Sequence, residues 1–417
     1  MSPLSIAGLI GFYVLVMFVL MAAPIGVRRI EMSRVVRAPR QRLWSALWPL
    51  GEAAGWSERV LDSQAAERPD EVAMRMAWLG RDGEPIRRRI RLYDVEEGQC
   101  FSQRIVDDSS LAQSFWKHFR EETELHDTGD GIRVTLRQTD RYRGGGFYLF
   151  RWFLMRRELN KLKIWAETGA YKPGGVFEHP LTQVGFAILS AFILWPIFGL
   201  SLAGFVFAAT LTFVVAAHEL GHMAAFRVMG HRSARMIFIP LLGGVAIGGR
   251  PYDSRFEVAF SALMGAGFSA FLIPIGIASA VAASHAGDRF ASASFAAFVA
   301  CAALFNLVNL VPVWKFDGGQ VLRQICPTPL SLGLASFSML FGFLGFGFIV
   351  GFPPRVLLIG GAVLAILSLI SQGANVRLKG ELKPIVGRER MAIAAALAST
   401  FVIHASGAAW AMGRILN

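Results

Sequence analysis

The sequence predicts a multi-pass α-helical membrane protein of about eight transmembrane helices, with an α+β domain inserted after the first helix. Hydrophobic residues make up 54% of the 417-residue chain and charged residues only 17%, whereas soluble domains are about 45–50% apolar and about 25% charged. The apolar residues occur in runs close to the ~20 residues that a helix needs to cross a bilayer. One long segment, 28–175, contains no such run. These observations exclude a disordered chain and argue against an ordinary cytosolic enzyme.

The first element is an apolar run from Ser2 to Val27, which is followed by Arg28 and Arg29. The run is long enough to span a bilayer and lacks the basic start of a secretory signal. We therefore expect residues 1–27 to be a retained transmembrane anchor. A cleaved signal peptide is the alternative.

The segment 28–175 is expected to be a cytoplasmic α+β domain. The sequence predicts a strand at Glu31–Arg37, a helix around Arg40–Trp48 and a long closing helix at Phe147–Thr168. Between the two helices it predicts strands at Val72–Leu79, Ile86–Val95, Phe101–Val106, Phe115–Leu125 and Ile132–Thr139. This order, with "SRVVRAPRQRLWSAL" near its start and "DGIRVTL" in a late strand, resembles the helix-grip fold of the START-like and polyketide-cyclase-like superfamily. The resemblance implies a domain that often encloses an apolar cavity, so an apolar ligand is one expectation and a simply packed core is the other.

The remaining spans follow in quick succession. We place them near 181–200, 203–226, 257–283, 291–313, 331–351, 355–372 and 391–410. Residues 176–325 would form a membrane core, and 326–417 would add C-terminal transmembrane helices. Together with the anchor, these segments make eight spans.

The positive charges of the chain orient these spans. The formal net charge is +12, and the arginines and lysines cluster after the first, third, fifth and seventh spans. The positive-inside rule therefore places these loops and the segment 28–175 in the cytoplasm. We expect an integral protein of the bacterial inner membrane. Because the charges mark one side of a membrane, the sequence argues against nucleic acid as a partner.

The third span carries the strongest chemical motif, Ala217-His218-Glu219-Leu220-Gly221-His222. On a helix, His218 and His222 lie one turn apart on the same face, so both imidazoles can reach one metal ion. This spacing favours Zn²⁺, with Glu219 placed to take a proton from a metal-bound water. Charged residues within membrane helices are costly and usually functional. A polar cluster that bridges helices and an interfacial histidine pair are the alternatives.

A third zinc ligand is expected at the end of the fifth span, in the sequence "NLVPVWKFDGG". Asp317 is the only acidic residue between Asp288 and Glu381, and the predicted topology places it on the same side as the end of the third span. Pairing with Lys315 is the alternative interpretation of Asp317. The glycines at 318 and 319 would let the backbone turn sharply beside it.

The two motifs together resemble the site-2 protease family of intramembrane zinc metalloproteases. The first is "HELGHMAAFRVMGHRSARMIFIPLLGGVAIGG", and the second keeps the Asn, Pro, Asp and Gly spacing of the family's N-x-x-P-x-x-x-L-D-G segment. The resemblance implies that His218, His222 and Asp317 bind zinc and that Glu219 is the general base. Phe316 replaces the family's usual Leu, and Ala266 stands where many relatives have Pro, which leaves the natural substrate open.

From these features the sequence predicts a zinc metalloendopeptidase that cleaves transmembrane protein substrates near the cytoplasmic face of the lipid bilayer. Gly243 and Gly244, in the segment Pro240–Gly249, and Asn309 are candidate substrate-binding residues. The glycine-rich segment could pair with an unwound substrate as an extended edge, or it could be a loop that packs between helices. Asn309 could equally cap or bridge helices. The alternative function is a membrane-embedded ligand sensor or metal transporter that uses the same residues without proteolysis.

Overall fold

The structure is a computed structural model that describes residues 22–170, 179–239, 243–313, 316–351 and 379–416, with isolated stretches at 15, 18–20, 353–355, 357–360 and 362. The chain divides into two compact units. The first, the sheet unit, comprises Met1–Pro173 and Leu369–Glu381. The second, the helical unit, comprises Gly174–Ser368 and Leu382–Asn417.

The sheet unit is built on one antiparallel sheet of seven strands in the order β1-β7-β6-β5-β4-β3-β2. The strands are β1 (Pro24–Val36), β2 (Val60–Ala65), β3 (Glu71–Leu79), β4 (Pro85–Glu96), β5 (Cys100–Asp108), β6 (Arg120–Thr128) and β7 (Gly131–Arg143). Strand β1 pairs with β7, so the first and last strands are neighbours. Short 3₁₀ turns occur at Ala53–Gly55 and Gln113–Phe115.

Two helices pack on this sheet, α1 (Arg40–Leu47) and α2 (Gly145–Thr168). Helix α2 lies between two glycines with positive φ, Gly144 and Gly169, and a left-handed glycine is a common helix C-cap. Leu159 and Leu162 of α2 are buried in a core with Val36 and residues of β7. The side chains of β7 alternate between core and solvent at Ile132, Val134 and beyond, as a half-buried strand requires. A sheet that holds one long closing helix is the helix-grip arrangement expected from the sequence.

The sheet unit also corrects several predicted boundaries. Strand β1 begins at Pro24 and is hydrogen-bonded to β7, so residues 24–27 belong to the sheet and not to the predicted anchor; the greater part of the anchor lies outside the described residues. The strand predicted at Phe115–Leu125 begins only at Arg120, because a 3₁₀ turn and a loop precede it. Strand β2 was not predicted, since its sequence VLDSQA has little apolar character and lies at the sheet edge.

The helical unit contains α3 (Pro180–Leu194), α4 (Leu202–Val228), α5 (Arg255–Ala270), α6 (Leu272–His285), α7 (Arg289–Leu310), α8 (Asp317–Ile325), α9 (Pro329–Ile349) and α10 (Gly387–Leu416). A 3₁₀ turn at Trp195–Phe198 extends α3. Within the described residues, six helical segments are long and apolar enough to cross a membrane, with α5 and α6 counted as one. They coincide with six of the eight predicted spans, and the span predicted at 355–372 lies mostly outside the described residues.

Three details of the helical unit position its polar residues. The span predicted as continuous at 257–283 is interrupted at Phe271, near Pro274, whose missing N–H cannot bond to the carbonyl one turn earlier. Strands β8 (Arg235–Ile239) and β9 (Gly243–Ile247) form an antiparallel pair. Helix α4 packs closely on α5 because Gly221 has no side chain; a Cβ there would lie 2.1 Å from the carbonyl oxygen of Met264.

Candidate metal centre

The two histidines of the HExxH motif lie on α4, which begins after Ser201. The Ser201 hydroxyl accepts a hydrogen bond from the backbone N–H of Gly204 and caps the helix. One turn separates His218 from His222, and their Nε2 atoms are 3.1 Å apart. His218 is 3% exposed. Helix α5 can approach the pair only because of Gly265, where a Cβ would lie within 2.6 Å of both rings.

Asp317 brings a third donor to the same point. Its Oδ2 atom is 3.1 Å from the Nε2 of His218 and 3.4 Å from the Nε2 of His222. Asp317 is the first residue of α8, and the two glycines that follow it are helical. A Cβ on Gly318 would lie 1.8 Å from the carbonyl oxygen of Leu310, and one on Gly319 would lie 2.0 Å from that of Val313. These glycines therefore permit a close approach of α8 to the end of α7, and not the sharp turn that we expected. Lys315, the alternative partner of Asp317, lies outside the described residues.

The other nitrogen of each histidine is held by an oxygen atom. His222 Nδ1 lies 2.7 Å from the carbonyl oxygen of Ser261, which can only accept, so this nitrogen carries the proton. His218 Nδ1 lies 2.8 Å from Asn306 Oδ1. The amide of Asn306 is oriented because its Nδ2 donates to the carbonyl oxygen of Ala302 at 2.7 Å. Both Nδ1 atoms are therefore donors, and in the neutral rings both Nε2 atoms present lone pairs.

Two nitrogen lone pairs and a carboxylate oxygen thus converge in a buried space. Asp317 Oδ2 is buried without a hydrogen-bond donor of its own. Three electron pairs at this separation repel one another unless a cation lies between them. Ligand atoms about 2.0–2.1 Å from a tetrahedral zinc ion are about 3.3–3.4 Å apart, close to the 3.1–3.4 Å between these donors. The donor set fits a divalent metal ion. Among the described residues, His218, His222 and Asp317 are the one group of three or more His, Cys, Asp or Glu side chains whose ligand atoms have metal-binding spacing.

Glu219 is oriented by strand β9. Its Oε2 atom accepts a hydrogen bond of 2.8 Å from the backbone N–H of Ala246. Gly244 lies against the same side chain, and a Cβ there would be 2.6 Å from Glu219 Cγ. Within the described part of the glycine-rich segment, Gly243–Ile247 is therefore a strand whose backbone contacts the carboxylate of the HExxH motif. On the other strand of the pair, the backbone N–H of Phe238 contacts Gln183 Oε1 on α3.

The asparagine that contacts the histidines is Asn306 and not Asn309. Asn309 Nδ2 donates to the carbonyl oxygen of Phe305 at 3.0 Å, whereas Asn306 is fully buried against His218. Sequence reasoning did not single out Asn306. The sequence did contain an indication of its role, because Asn306 is a polar residue in the apolar sequence of α7, one turn before Asn309. A buried polar side chain of this kind is expected to form a hydrogen bond.

A second buried polar cluster lies beside strand β9. His231 Nε2 is 2.6 Å from Glu257 Oε1, and Arg250 Nη2 is 2.9 Å from the same oxygen. His231 and Glu257 are 1% and 3% exposed. The cluster joins the end of α4 to the start of α5 and to the segment that follows β9.

The sheet unit encloses a cavity of about 240 Å³. Apolar side chains such as Met76 and Ile90 line it, but so do charged ones, including Arg59, Glu121 and Glu158. Arg59 Nη2 lies 3.4 Å from Glu158 Oε1, and burial lowers the pKa of the Arg59 guanidinium. Of the two expectations for this interior, the structure favours a cavity over a packed core, and the cavity is partly polar.

Comparisons with known proteins concern the sheet unit. No protein-family model matches the chain, and no curated protein matches it in sequence. Similar solved structures include a protein from Staphylococcus saprophyticus, with 16% identity over 36% of this chain and 98% of that one and a TM-score of 0.28. The Aha1 dimer from Colwellia psychrerythraea has 12% identity, coverages of 34% and 98% and a TM-score of 0.27. A START superfamily protein from Mycobacterium smegmatis has 10% identity, coverages of 32% and 92% and a TM-score of 0.25. At these TM-scores the similarities add no argument to the topology described above.

Proposed function

We propose that this protein is an intramembrane zinc metalloprotease that hydrolyses peptide bonds of membrane-protein substrates. The observation that carries the proposal is the convergence of His218 Nε2, His222 Nε2 and Asp317 Oδ2 in a buried space, beside the carboxylate of Glu219. The Nδ1 atoms of both histidines are bound to oxygen acceptors, so the two Nε2 atoms and Asp317 Oδ2 face one another across a single point.

The roles of the residues follow from these contacts. His218, His222 and Asp317 would hold the metal ion through three protein atoms, which leaves a fourth position open, as in catalytic zinc sites. When bound, zinc supplies Lewis-acid polarisation of the scissile carbonyl and acidifies a water molecule. Glu219 takes the proton of the attacking water and passes it to the leaving amide nitrogen as the C–N bond breaks. The N–H of Ala246 orients the Glu219 carboxylate for this transfer.

Strand β9 supports a means of binding the substrate. A helical substrate must unwind before its peptide bonds are accessible, and an unwound segment can add to a sheet edge through backbone hydrogen bonds. The outer edge of β9 runs past Glu219 at Gly244 and Ala246. A substrate paired there would have its backbone next to the general base. Gly243 is the first residue of the same strand.

A membrane location is supported by the six long apolar helices. His218 lies in one of them, where a polar cluster is costly and is retained for function. The basic residues that follow alternate predicted spans support a cytoplasmic location of the sheet unit by the positive-inside rule. The cavity of the sheet unit is suited to a ligand with both apolar and polar parts, and such a ligand would regulate cleavage from the cytoplasm.

The test is cleavage of a membrane substrate by the full-length protein purified in detergent, with zinc content measured by elemental analysis. Glu219→Gln should retain zinc and lose activity by about 10²–10⁴-fold, the usual contribution of a general base. Asp317→Ala should lose zinc. A Glu219→Gln variant that cleaved at the wild-type rate would refute the assignment of the base.

Asn309→Ala tests Asn309 as a substrate-binding residue. Among the described contacts, its amide donates only to a backbone carbonyl of its own helix, so the variant leaves the three metal-binding side chains in place. Wild-type protein that contains stoichiometric zinc but cleaves no membrane substrate, and that moves zinc across vesicles, would favour the transporter alternative over proteolysis.

A further inference from the structure

The outer face of the sheet unit carries a groove of about 760 Å³ whose walls are strongly basic. Six cationic side chains line it, against the two carboxylates of Glu67 and Glu71, which leaves a net charge of +4 along the groove. The cations are Arg68, Arg89, Arg91, Arg104, Lys117 and Arg120. The volume lies within the range of small-molecule sites.

Three of these cations share one carboxylate. Glu71 is 5% exposed and accepts hydrogen bonds from Arg91, the shorter at 2.6 Å. Its carboxylate also lies 3.5 Å from Arg89 and 3.9 Å from Arg68. Asp70 adds a second carboxylate 3.4 Å from Arg91, but two carboxylates do not neutralise three guanidinium groups. They do hold the guanidinium groups in place, so that less conformational entropy is lost when they bind an anion.

The other three cations have no carboxylate within ion-pair distance among the described residues. Arg104 on β5, Arg120 on β6 and Lys117 in the loop between these strands are all exposed. Arg104 lies directly opposite Arg91 in the β4–β5 register. Like charges opposite one another destabilise a sheet, so the fold gains nothing from this arrangement. An anion bound between the strands would remove the repulsion.

We propose that this groove binds a ligand that carries two or more phosphate groups, either a free polyphosphorylated molecule or the headgroup of an anionic lipid. A phosphate monoester carries about −1.5 to −2 charges, so two of them match the net charge of the groove. The guanidinium fork suits phosphate because it donates two parallel hydrogen bonds to adjacent oxygens. The groove is separate from the metal centre, and its ligand does not depend on whether the protein is a protease.

Tripolyphosphate is the probe for the test, titrated into the full-length protein in an uncharged detergent. The double variant Arg104→Gln/Arg120→Gln removes two exposed cations that lack described ion pairs, so it should fold normally. We expect it to bind tripolyphosphate at least about tenfold more weakly than the wild type. The control Arg28→Gln/Arg133→Gln removes two exposed arginines of β1 and β7 outside the groove, and it should stay within about twofold.

Equal affinity of the two double variants would overturn the proposal, because the binding would then reflect net charge alone. Reconstitution in phosphatidylcholine nanodiscs with and without cardiolipin distinguishes the two sources of phosphate. If cardiolipin weakens tripolyphosphate binding, the ligand of the groove is a lipid headgroup. If cardiolipin has no effect, the ligand is a free polyphosphorylated molecule. A Glu-rich peptide that bound more tightly than tripolyphosphate with the same dependence on Arg104 and Arg120 would replace the phosphate ligand with an acidic protein segment.

Discussion

Replacing Asn306 with Ala should weaken metal binding although Asn306 is not itself a ligand. Its Oδ1 accepts the Nδ1 proton of His218 at 2.8 Å, and the residue is 0% exposed. The hydrogen bond selects the tautomer in which Nε2 of His218 faces Asp317. Without it, the buried Nδ1–H of His218 loses the acceptor that the described contacts give it.

The magnitude follows from the burial of this N–H. A buried donor left without an acceptor costs about 1–3 kcal/mol. Since about 1.4 kcal/mol corresponds to a factor of ten, the zinc dissociation constant should rise by about 5–150-fold. This agrees with the 10–100-fold effects that are typical when the hydrogen-bond partner of a metal-ligating histidine is removed.

The assay is a competition titration of the full-length apoprotein with a fluorescent zinc chelator. Asn309→Ala is the matched control, because it removes the same amide one turn later in α7, where it contacts only the carbonyl oxygen of Phe305 among the described contacts. Asn306→Asp keeps an acceptor at the same place and should bind zinc more tightly than Asn306→Ala. A zinc affinity of Asn306→Ala within a factor of two of the Asn309→Ala value, with both variants folded, would refute the role of Asn306.

Three further predictions concern packing, ion pairs and pH. Gly265→Ala should weaken zinc binding at least about tenfold, because its Cβ would lie 2.5 Å from His222 Nε2. Gly267→Ala is the control and should leave zinc binding unchanged, since its Cβ would lie 3.7 Å from the nearest neighbouring atom. Equal zinc affinities of the two variants would contradict this packing. Glu257→Ala should lower the free energy of unfolding by about 3–5 kcal/mol, since it leaves the buried His231 and the half-buried Arg250 without their carboxylate. Loss of the exposed Lys383–Asp253 pair in Lys383→Ala should cost less than about 1 kcal/mol. Chemical unfolding measures both, and a smaller effect for Glu257→Ala would argue against the cluster. Burial raises the pKa of the Asp140 carboxyl above its ordinary value of 3.8. The stability of the sheet unit should therefore fall as the pH rises from this ordinary value through the raised pKa of the folded state. Asp140→Asn should remove this slope in thermal unfolding, and an unchanged slope would assign it to another group.

Local features of the fold were predictable from the sequence. The closing helix of the sheet unit was predicted at Phe147–Thr168 and is Gly145–Thr168, because helical periodicity and its glycine boundaries are encoded within the segment itself. The strand VLDSQA was missed because an edge strand is stabilised mainly by its neighbour β3. The cavity was expected to be apolar, but Arg59 and Glu158 meet inside it from distant parts of the chain.

In the candidate metal centre, too, some features were predictable from the sequence and others depended on the tertiary structure. The His218–His222 spacing and the position of Glu219 between them follow from helix geometry, so the sequence alone determined that two imidazoles share one face. It also indicated Asp317, through its isolation among apolar residues. Only the tertiary structure decided that Asn306, 88 residues from His218 in sequence, fixes the tautomer, and that the N–H of Ala246 orients Glu219. These contacts depend on how closely the helices and strand β9 approach one another, and Gly221, Gly244 and Gly265 permit that approach.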